Sequence, residues 1–276
     1  MRATGADDLP DDDALTGMDP AVAGGAVRAD GPADPARAVG GRQPLGDPDD
    51  DAGRPGGSAR GYGGRVTAYA AVVLAGGAAR RMGGRDKPAL PVGGMPMRER
   101  VLAAVADAAP RILVGPAGAV PGDVLVTRER PPGGGPVAAT AAGLALLPPD
   151  PTTVALLAAD LPLRTPEAVG VLLRALHPEP DGAPPRGHVD DGLDGVCFLD
   201  DRGRRQPLCG VWRTAALRDA LARLVGRRGG TPDGASMREL LAELRVRDLP
   251  WSGSGPPPWF DCDTDSDVRR AEEWTR

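Results

Sequence analysis

Five apolar residues, Ala70 to Leu74, run into a glycine pair, Gly76-Gly77, and no other stretch constrains the chain so tightly. So short a run, with β-branched Val72 and Val73 inside it, reads as a buried strand rather than a helix. The loop behind it carries glycines at 76, 77, 83 and 84, where backbone can approach a ligand without Cβ interference and aim successive N–H groups at phosphate oxygens. Arg80, Arg81, Arg85 and Lys87 add cationic side chains, so strand and loop together predict a cradle for a polyanion. Lys87 is the only lysine in the chain; every other basic side chain is an arginine. A compact ammonium in such a loop suits contact with phosphate oxygens from one direction, which a planar guanidinium makes less well.

Two familiar phosphate loops do not fit. A nucleotide-hydrolysing P-loop reads G-x-x-x-x-G-K-[ST], whereas here Arg85-Asp86 separate Gly84 from Lys87, and Pro88 follows where a hydroxyl should stand. The dinucleotide pattern G-x-G-x-x-G is absent after Leu74. What is written is Leu74-Ala75-Gly76-Gly77, then Arg81-Met82-Gly83-Gly84, then Asp86-Lys87-Pro88 with Leu90 beyond. At these residues the sequence resembles the nucleotidyltransferase superfamily of the sugar-phosphate and molybdopterin nucleotidyltransferases, and most closely the molybdenum cofactor guanylyltransferase (MobA-like) family.

Composition divides the chain. Residues 1–66 hold the acidic runs Asp11-Asp12-Asp13 and Asp49-Asp50-Asp51, many Gly and Pro, and no sustained apolar period, so they predict a disordered acidic tail. By the resemblance, residues 67–276 would form the nucleotidyltransferase domain. About 210 residues are enough for one core that buries roughly 70% of the chain's surface. The net charge of −5 argues against a general nucleic-acid binder, which needs a basic face. No run approaches the ~18 apolar residues of a membrane span, and no secretory or transit pattern opens the chain, so a soluble cytoplasmic protein is expected. Three cysteines without a C-x-x-C pair predict small buried thiols rather than disulfides or a zinc site.

Beyond Lys87 the pattern alternates. A helix is predicted from Pro96, with Val101, Leu102, Val105 and Ala109 at helical spacing before Pro110. Strands follow at Ile112–Val114 and Val124–Val126, and the triple glycine Gly133-Gly134-Gly135 leads into an apolar helix from Val137 to Leu147. Strand Thr153–Ala158 runs straight into Ala159-Asp160-Leu161-Pro162, and Thr165 ahead of Pro166-Glu167 caps a helix to Leu176. Such alternation predicts an α/β fold with a parallel sheet and with ligands at the carboxyl ends of its strands. A carboxylate at Asp160, at the end of a buried strand beside a phosphate loop, is where Mg²⁺ would be held. The Pro178 to Asp191 segment and both histidines, His177 and His188, read as exposed loop. A strand at Gly195–Leu199, a turn at Asp200–Gly203 and a run from Arg205 to Trp212 come next. Helices are expected at Thr214–Val225, at about Ser236–Leu244 and after Thr264, where Thr264 and Asp267 have capping-box spacing.

The resemblance adds its own expectations. It implies a Rossmann-like three-layer αβα fold with a mostly parallel, mixed sheet of the nucleotide-diphospho-sugar transferase type. It implies transfer of GMP from GTP to molybdopterin with release of pyrophosphate, Mg²⁺-dependent, with Lys87 and Arg81 as the catalytic cations. Leu74, Ala75, Gly76, Gly77, Lys87, Gly135 and Asp160 would bind the nucleotide, and Asp160 with Asp263 would hold the metal, Asp261 being the other candidate. Gln206, in a run that resembles the family's acceptor-side strand, would contact the pterin or serve the fold. No nucleic-acid or membrane partner is implied, only transient contact with molybdoenzymes or other cofactor-biosynthesis proteins. The same chemistry on CTP or on a sugar or polyol phosphate acceptor stays open, as does a nucleotide-binding module without turnover. At Gly115 some members of the family carry Asn, and this chain has no Asn at all.

Overall fold

Side chains alternate along the first strand and thereby found both faces of a sheet. In β1 (Ala70–Leu74) every residue is buried. Ala71 and Val73 enter one apolar cluster while Ala70, Val72 and Leu74 enter another. A strand covered on both faces is written as an unbroken apolar run, which explains why it is so visible in the sequence. The computed structural model describes residues 68–76, 86–116, 118, 120–178 and 192–276. The predicted tail 1–66, the loop residues Gly77 and Arg81, and His188 lie outside the described residues.

After the loop, a single 3-10 turn (Lys87–Ala89) leads to a small antiparallel hairpin of β2 (Pro91–Val92) and β3 (Met95–Pro96). Gly93 and Gly94 turn it with φ of +58° and +78°, the positive pair that a two-residue hairpin loop of type I′ requires. Then follow α1 (Met97–Ala103), β4 (Arg111–Val114), β5 (Val124–Thr127), α2 (Pro136–Leu144), β6 (Thr153–Ala158) and α3 (Pro166–Leu176). The chain continues through β7 (Gly195–Leu199), β8 (Arg205–Arg213), α4 (Thr214–Arg227), α5 (Met237–Leu240), β9 (Val246–Leu249) and α6 (Asp265–Trp274).

Seven strands form one sheet in the order β5-β4-β1-β6-β8-β7-β9. All neighbours pair in parallel except β8, which lies antiparallel to both β6 and β7. The mixed, mostly parallel α/β sheet is therefore as expected. On one face α1 and α3 bury Val101, Leu102, Leu172 and Leu173 against β1 and β6. On the other, α2, α4 and α5 bury Val137, Leu217 and Leu240. At about 1.5–3 kcal/mol for each fully buried aliphatic side chain, these two layers dominate the energetics. Helix α2 sits especially close, since a Cβ at Gly143 would lie 2.5 Å from Val72 Cγ1.

β1 gives way to β4 on one side and, later in the chain, β6 pairs on its other side. Such a switch point opens a crevice at the carboxyl ends of the strands. There Ala75 N–H donates to Val114 O at 2.8 Å and Ala159 N–H donates to Leu74 O at 2.9 Å, so the ends of the three central strands stay in step.

Several local expectations need correction. Helix α1 stops at Ala103; tighter bonds follow, Val105 N–H to Leu102 O and Ala106 N–H to Ala103 O, both 3.3 Å. Ala109 N–H is drawn to Tyr69 O at 2.9 Å, and Ala108 rather than Ala109 is buried. Helix α5 covers one turn only, capped by Ser236 and Glu239. His177 is not a loose loop residue, because its Nε2 lies 2.8 Å from the buried Thr153 Oγ1. Strand β9 escaped prediction altogether; it pairs in parallel with β7 from Gly195–Val246 to Phe198–Leu249.

Candidate active site

The Lys87 ammonium sits among three carboxylates. Its Nζ donates to Asp160 Oδ2 at 2.7 Å, to Asp263 Oδ1 at 2.7 Å and to Asp261 Oδ1 at 2.9 Å. These residues lie 73, 176 and 174 positions from Lys87 along the chain, so only the fold joins them. Asp160 leaves the carboxyl end of β6, and its carbonyl accepts Cys262 N–H at 3.3 Å, which ties the carboxy-terminal segment to the strand end. In the extended Asp261-Cys262-Asp263 stretch both carboxylates reach Lys87, while Cys262 is wholly buried.

Each arm of this cluster has an apolar root in one small core, separate from the two main ones. Leu90 and Val92 root the Lys87 segment, Leu163 the Asp160 segment, and Phe260 and Cys262 the Asp261–Asp263 segment. Burial pushes the Cys262 thiol up to about 12, with the charge of Asp261 adding to the shift, so it stays protonated and acts as packing. Helix α6 continues from the last arm through a capping box, in which Asp267 N–H donates to Thr264 Oγ1 at 3.2 Å and Thr264 N–H donates to Asp267 Oδ2 at 2.8 Å. That box matches the sequence expectation.

The electrostatics are those of a site built for more positive charge than it contains. Burial and the three carboxylates act in opposite directions on Lys87, and the carboxylates prevail, raising its pKa well above the ordinary lysine value. Asp261 is pushed up to about 6, chiefly by burial and then by the charge of Asp160. One ammonium against three carboxyl groups leaves an excess of negative charge. The three acids each offer an oxygen, all within 4.8 Å of one another, and this cluster could hold a metal ion. An octahedral Mg²⁺ needs oxygens about 3.0 Å apart when adjacent and about 4.2 Å when opposite, so a slight inward movement suffices. All donors are hard carboxylate oxygens and the one sulfur nearby is a buried thiol, which fits Mg²⁺ and not a soft metal.

The glycine-rich elements meet at the same end of the sheet. Glu129, just past β5, accepts Gly133 N–H at 3.2 Å, and its Oε1 lies 3.5 Å from where a Cβ on Gly76 would be. Gly135, with φ of +92°, opens α2 without a side-chain cap. Its neighbour Gly134 is packed too tightly for any side chain, a Cβ there falling 2.6 Å from Asp233 Oδ1. Gly115 is likewise pressed onto the loop: with φ of +145°, a Cβ would lie 2.8 Å from the Ala75 carbonyl carbon. That contact accounts for glycine, rather than Asn, at this position. The Ala75 N–H is already committed to Val114 O, whereas among the described residues Gly76 N–H has no partner.

Of the residues singled out from sequence, Lys87, Asp160 and Asp263 come together, and Leu74, Ala75, Gly76 and Gly135 stand at the same sheet edge. Asp261, left as the alternative to Asp263, joins Lys87 equally; the D-C-D alternation was the available signal. Gln206 serves its own hairpin, donating to Asp200 Oδ2 at 3.2 Å and to Arg204 O at 3.4 Å. Arg227 and Arg228 pair with Glu243 and Glu239.

Comparison with known proteins agrees with this geometry. The chain is 27% identical over 215 residues, 75% of its length and 93% of the relative's, to a molybdenum cofactor guanylyltransferase of Bradyrhizobium sp. (strain ORS 278). It is 28% identical over 209 residues, 73% of its length and 91% of the relative's, to one of Nitrobacter hamburgensis. Among solved structures, molybdopterin-guanine dinucleotide biosynthesis protein A of Archaeoglobus fulgidus superposes with a TM-score of 0.52 at 22% identity, covering 74% of this chain and 96% of that one. The 2-C-methyl-D-erythritol 4-phosphate cytidylyltransferase of Thermus thermophilus gives 0.51 at 20% identity, covering 75% and 98%. These two likenesses speak for the fold. The family model of the MobA-like NTP transferase domain matches residues 71–247, more than half of the chain, which therefore belongs to that family and is a nucleotidyltransferase.

Proposed function

We propose that this chain transfers GMP from GTP to the phosphate of molybdopterin and releases pyrophosphate. The supporting observation is the convergence of Lys87 with Asp160, Asp261 and Asp263 at the carboxyl end of the central strands. The curated relatives it resembles over nearly their whole length carry the guanylyltransferase name.

In the reaction, an oxygen of the acceptor phosphate attacks the α-phosphorus of GTP in line. The bond from that phosphorus to the oxygen bridging it to the β-phosphate breaks, and pyrophosphate departs with the electron pair. A phosphate nucleophile is already ionised, so no general base is required. Catalysis is positioning plus stabilisation of charge. Mg²⁺, held by Asp160, Asp261 and Asp263, supplies neutralisation of phosphate charge when bound. Lys87 exchanges its carboxylate partners for nucleotide phosphates, and Arg81 adds a second cation to them. Leu74, Ala75 and Gly76 form the floor of the nucleotide site, with the Gly76 N–H, which has no partner among the described residues, as a donor, and Gly77 is assigned to the nucleotide from the sequence. Gly135, at the start of α2, lets the nucleotide approach the backbone.

In this reading residues 67–276 form the catalytic domain and residues 1–66 an acidic extension. The reaction runs in the cytoplasm without nucleic acid or membrane, and the dinucleotide passes on by transient contact with molybdoenzymes. Pyrophosphate release measured with GTP and with CTP, each with and without molybdopterin, tests the proposal. Release that needs both GTP and molybdopterin is expected. Release with CTP in place of GTP, or with a sugar phosphate in place of molybdopterin, would reassign the substrates; no release with any pair would make this a binding module.

A further inference from the structure

We infer that Arg100 is a positioning residue: its guanidinium fastens the segment that carries Lys87 to the segment that carries Asp160 and so sets the distance between them. The inference rests on the reading that these two residues work as one site.

Arg100 belongs to the last turn of α1, a helix that contributes no side chain to the cluster itself. From there Nε donates to Pro162 O at 3.0 Å and Nη1 donates to Val92 O at 3.3 Å. Pro162 stands two residues past Asp160, and Val92 ends the strand that follows the Lys87 turn. The two donors are neighbours in one rigid plane, so their acceptors are held in a fixed mutual relation, which a flexible ammonium does not impose. No carboxylate among the described residues pairs with Arg100, so its charge is spent on these two carbonyls.

The third arm is braced at the same place. A Cβ on Gly93, next to Val92, would lie 2.8 Å from Thr275 Oγ1 and 3.3 Å from Arg100 Nη1. Thr275 terminates α6, the helix that starts just after Asp263. The guanidinium thus lies where the hairpin, the Asp160 segment and the end of the carboxy-terminal helix meet. Val92 and Leu163 both belong to the small core that roots the whole cluster. Apolar packing of so few residues fixes direction loosely, and the two directed hydrogen bonds supply register.

Because Lys87 is the only lysine, ¹⁵N-lysine labelling of the full chain yields a single side-chain ammonium signal, which reports on Lys87 alone. Held by three carboxylates, that ammonium exchanges slowly with water and its signal is observable near neutral pH. In Arg100→Met the signal is expected to broaden beyond detection, as the Lys87 segment loses its fixed distance to Asp160. Leu172→Ala, which opens a cavity in a main core separate from the small one that roots the cluster, is the control; it is expected to lower Tm by as much or more and to leave the ammonium signal intact. Arg100→Lys, which keeps the charge and one donor, covers the case in which Arg100→Met does not fold and is expected to show the same broadening. A wild-type ammonium signal in the Arg100 variants, or equal loss of it in Leu172→Ala, overturns the inference. Failure of the wild-type chain to release pyrophosphate would sink the proposed reaction instead, since the ammonium readout needs neither substrate nor metal.

Discussion

Removing the Lys87 ammonium is expected to have opposite effects on metal binding and on turnover. With no substrate present, the ammonium occupies the position among Asp160, Asp261 and Asp263 that a divalent cation would take. A hydrogen bond to a charged group contributes about 1.5–3 kcal/mol when buried. The Asp160 side chain is 28% exposed and merits about 2 kcal/mol on that scale, discounted for partial screening. Those of Asp261 and Asp263 are 48% and 44% exposed, so solvent screening reduces each to about 0.5–1 kcal/mol. The ammonium is therefore held by about 3–4 kcal/mol, of which rehydration returns roughly half when a metal ion displaces it. The remaining ~1.5–2 kcal/mol corresponds to a factor of about 10–30. In Lys87→Met, Mn²⁺ should bind 10–30-fold more tightly to the nucleotide-free protein, measured by calorimetry or by the loss of free Mn²⁺ signal in electron paramagnetic resonance. Turnover with GTP and molybdopterin should fall by about 100-fold or more, as the phosphates lose their cation. Unchanged or weaker Mn²⁺ binding in the variant would refute the idea that ammonium and metal compete for the same oxygens.

The same site should respond to acid. The Asp261 carboxyl has its folded pKa raised to about 6, so Mn²⁺ affinity should decline as pH falls through that value, by up to tenfold per unit below it if this carboxylate is a ligand. Stability moves the other way: the raised pKa contributes stability that is fully present below the unfolded carboxyl range and is lost as pH rises through about 6, so Asp261→Asn should flatten Tm between pH 4 and 7. Gly115→Ala forces a side chain onto the Ala75 backbone at a positive φ and should lower stability by about 1–3 kcal/mol in urea titration; a neutral result would mean that the loop yields. Gln206→Ala breaks only bonds within its own hairpin, so its kcat should match the wild type; a large drop would return Gln206 to the acceptor site.

How legible all this was depended on where each signal resided. Strands β1, β6 and β7 and helix α3 matched their predicted bounds because burial on both faces, or a Thr165 cap with Pro166 behind it, writes the boundary into local residues. Strand β9 was missed because Val246-Arg247-Asp248-Leu249 has no local apolar pattern; it is a strand because β7 offers it an edge and Arg205 pairs with Asp248. Helix α1 was drawn too long because apolar spacing continues past Ala103 while the backbone bonds tighten. Lys87 and Asp160 were legible from loop chemistry and from a strand end. The equal standing of Asp261 with Asp263 was legible only in part: the D-C-D alternation is local, but that Cys262 turns inward and both neighbours reach Lys87 depends on the fold. Arg100 was invisible, because hydrogen bonds from a side chain to remote carbonyls leave no pattern in composition or spacing.

Lys87, Asp160 and the Asp261–Asp263 pair enter the chain far apart, and the last of them follows every strand of the sheet. On a translating ribosome the sheet can therefore be laid down, strand by strand, while the chemistry stays unassembled. A nascent chain that has not yet released residues 261–263 holds only Lys87 and Asp160 of the four charged groups, so the cluster is completed last.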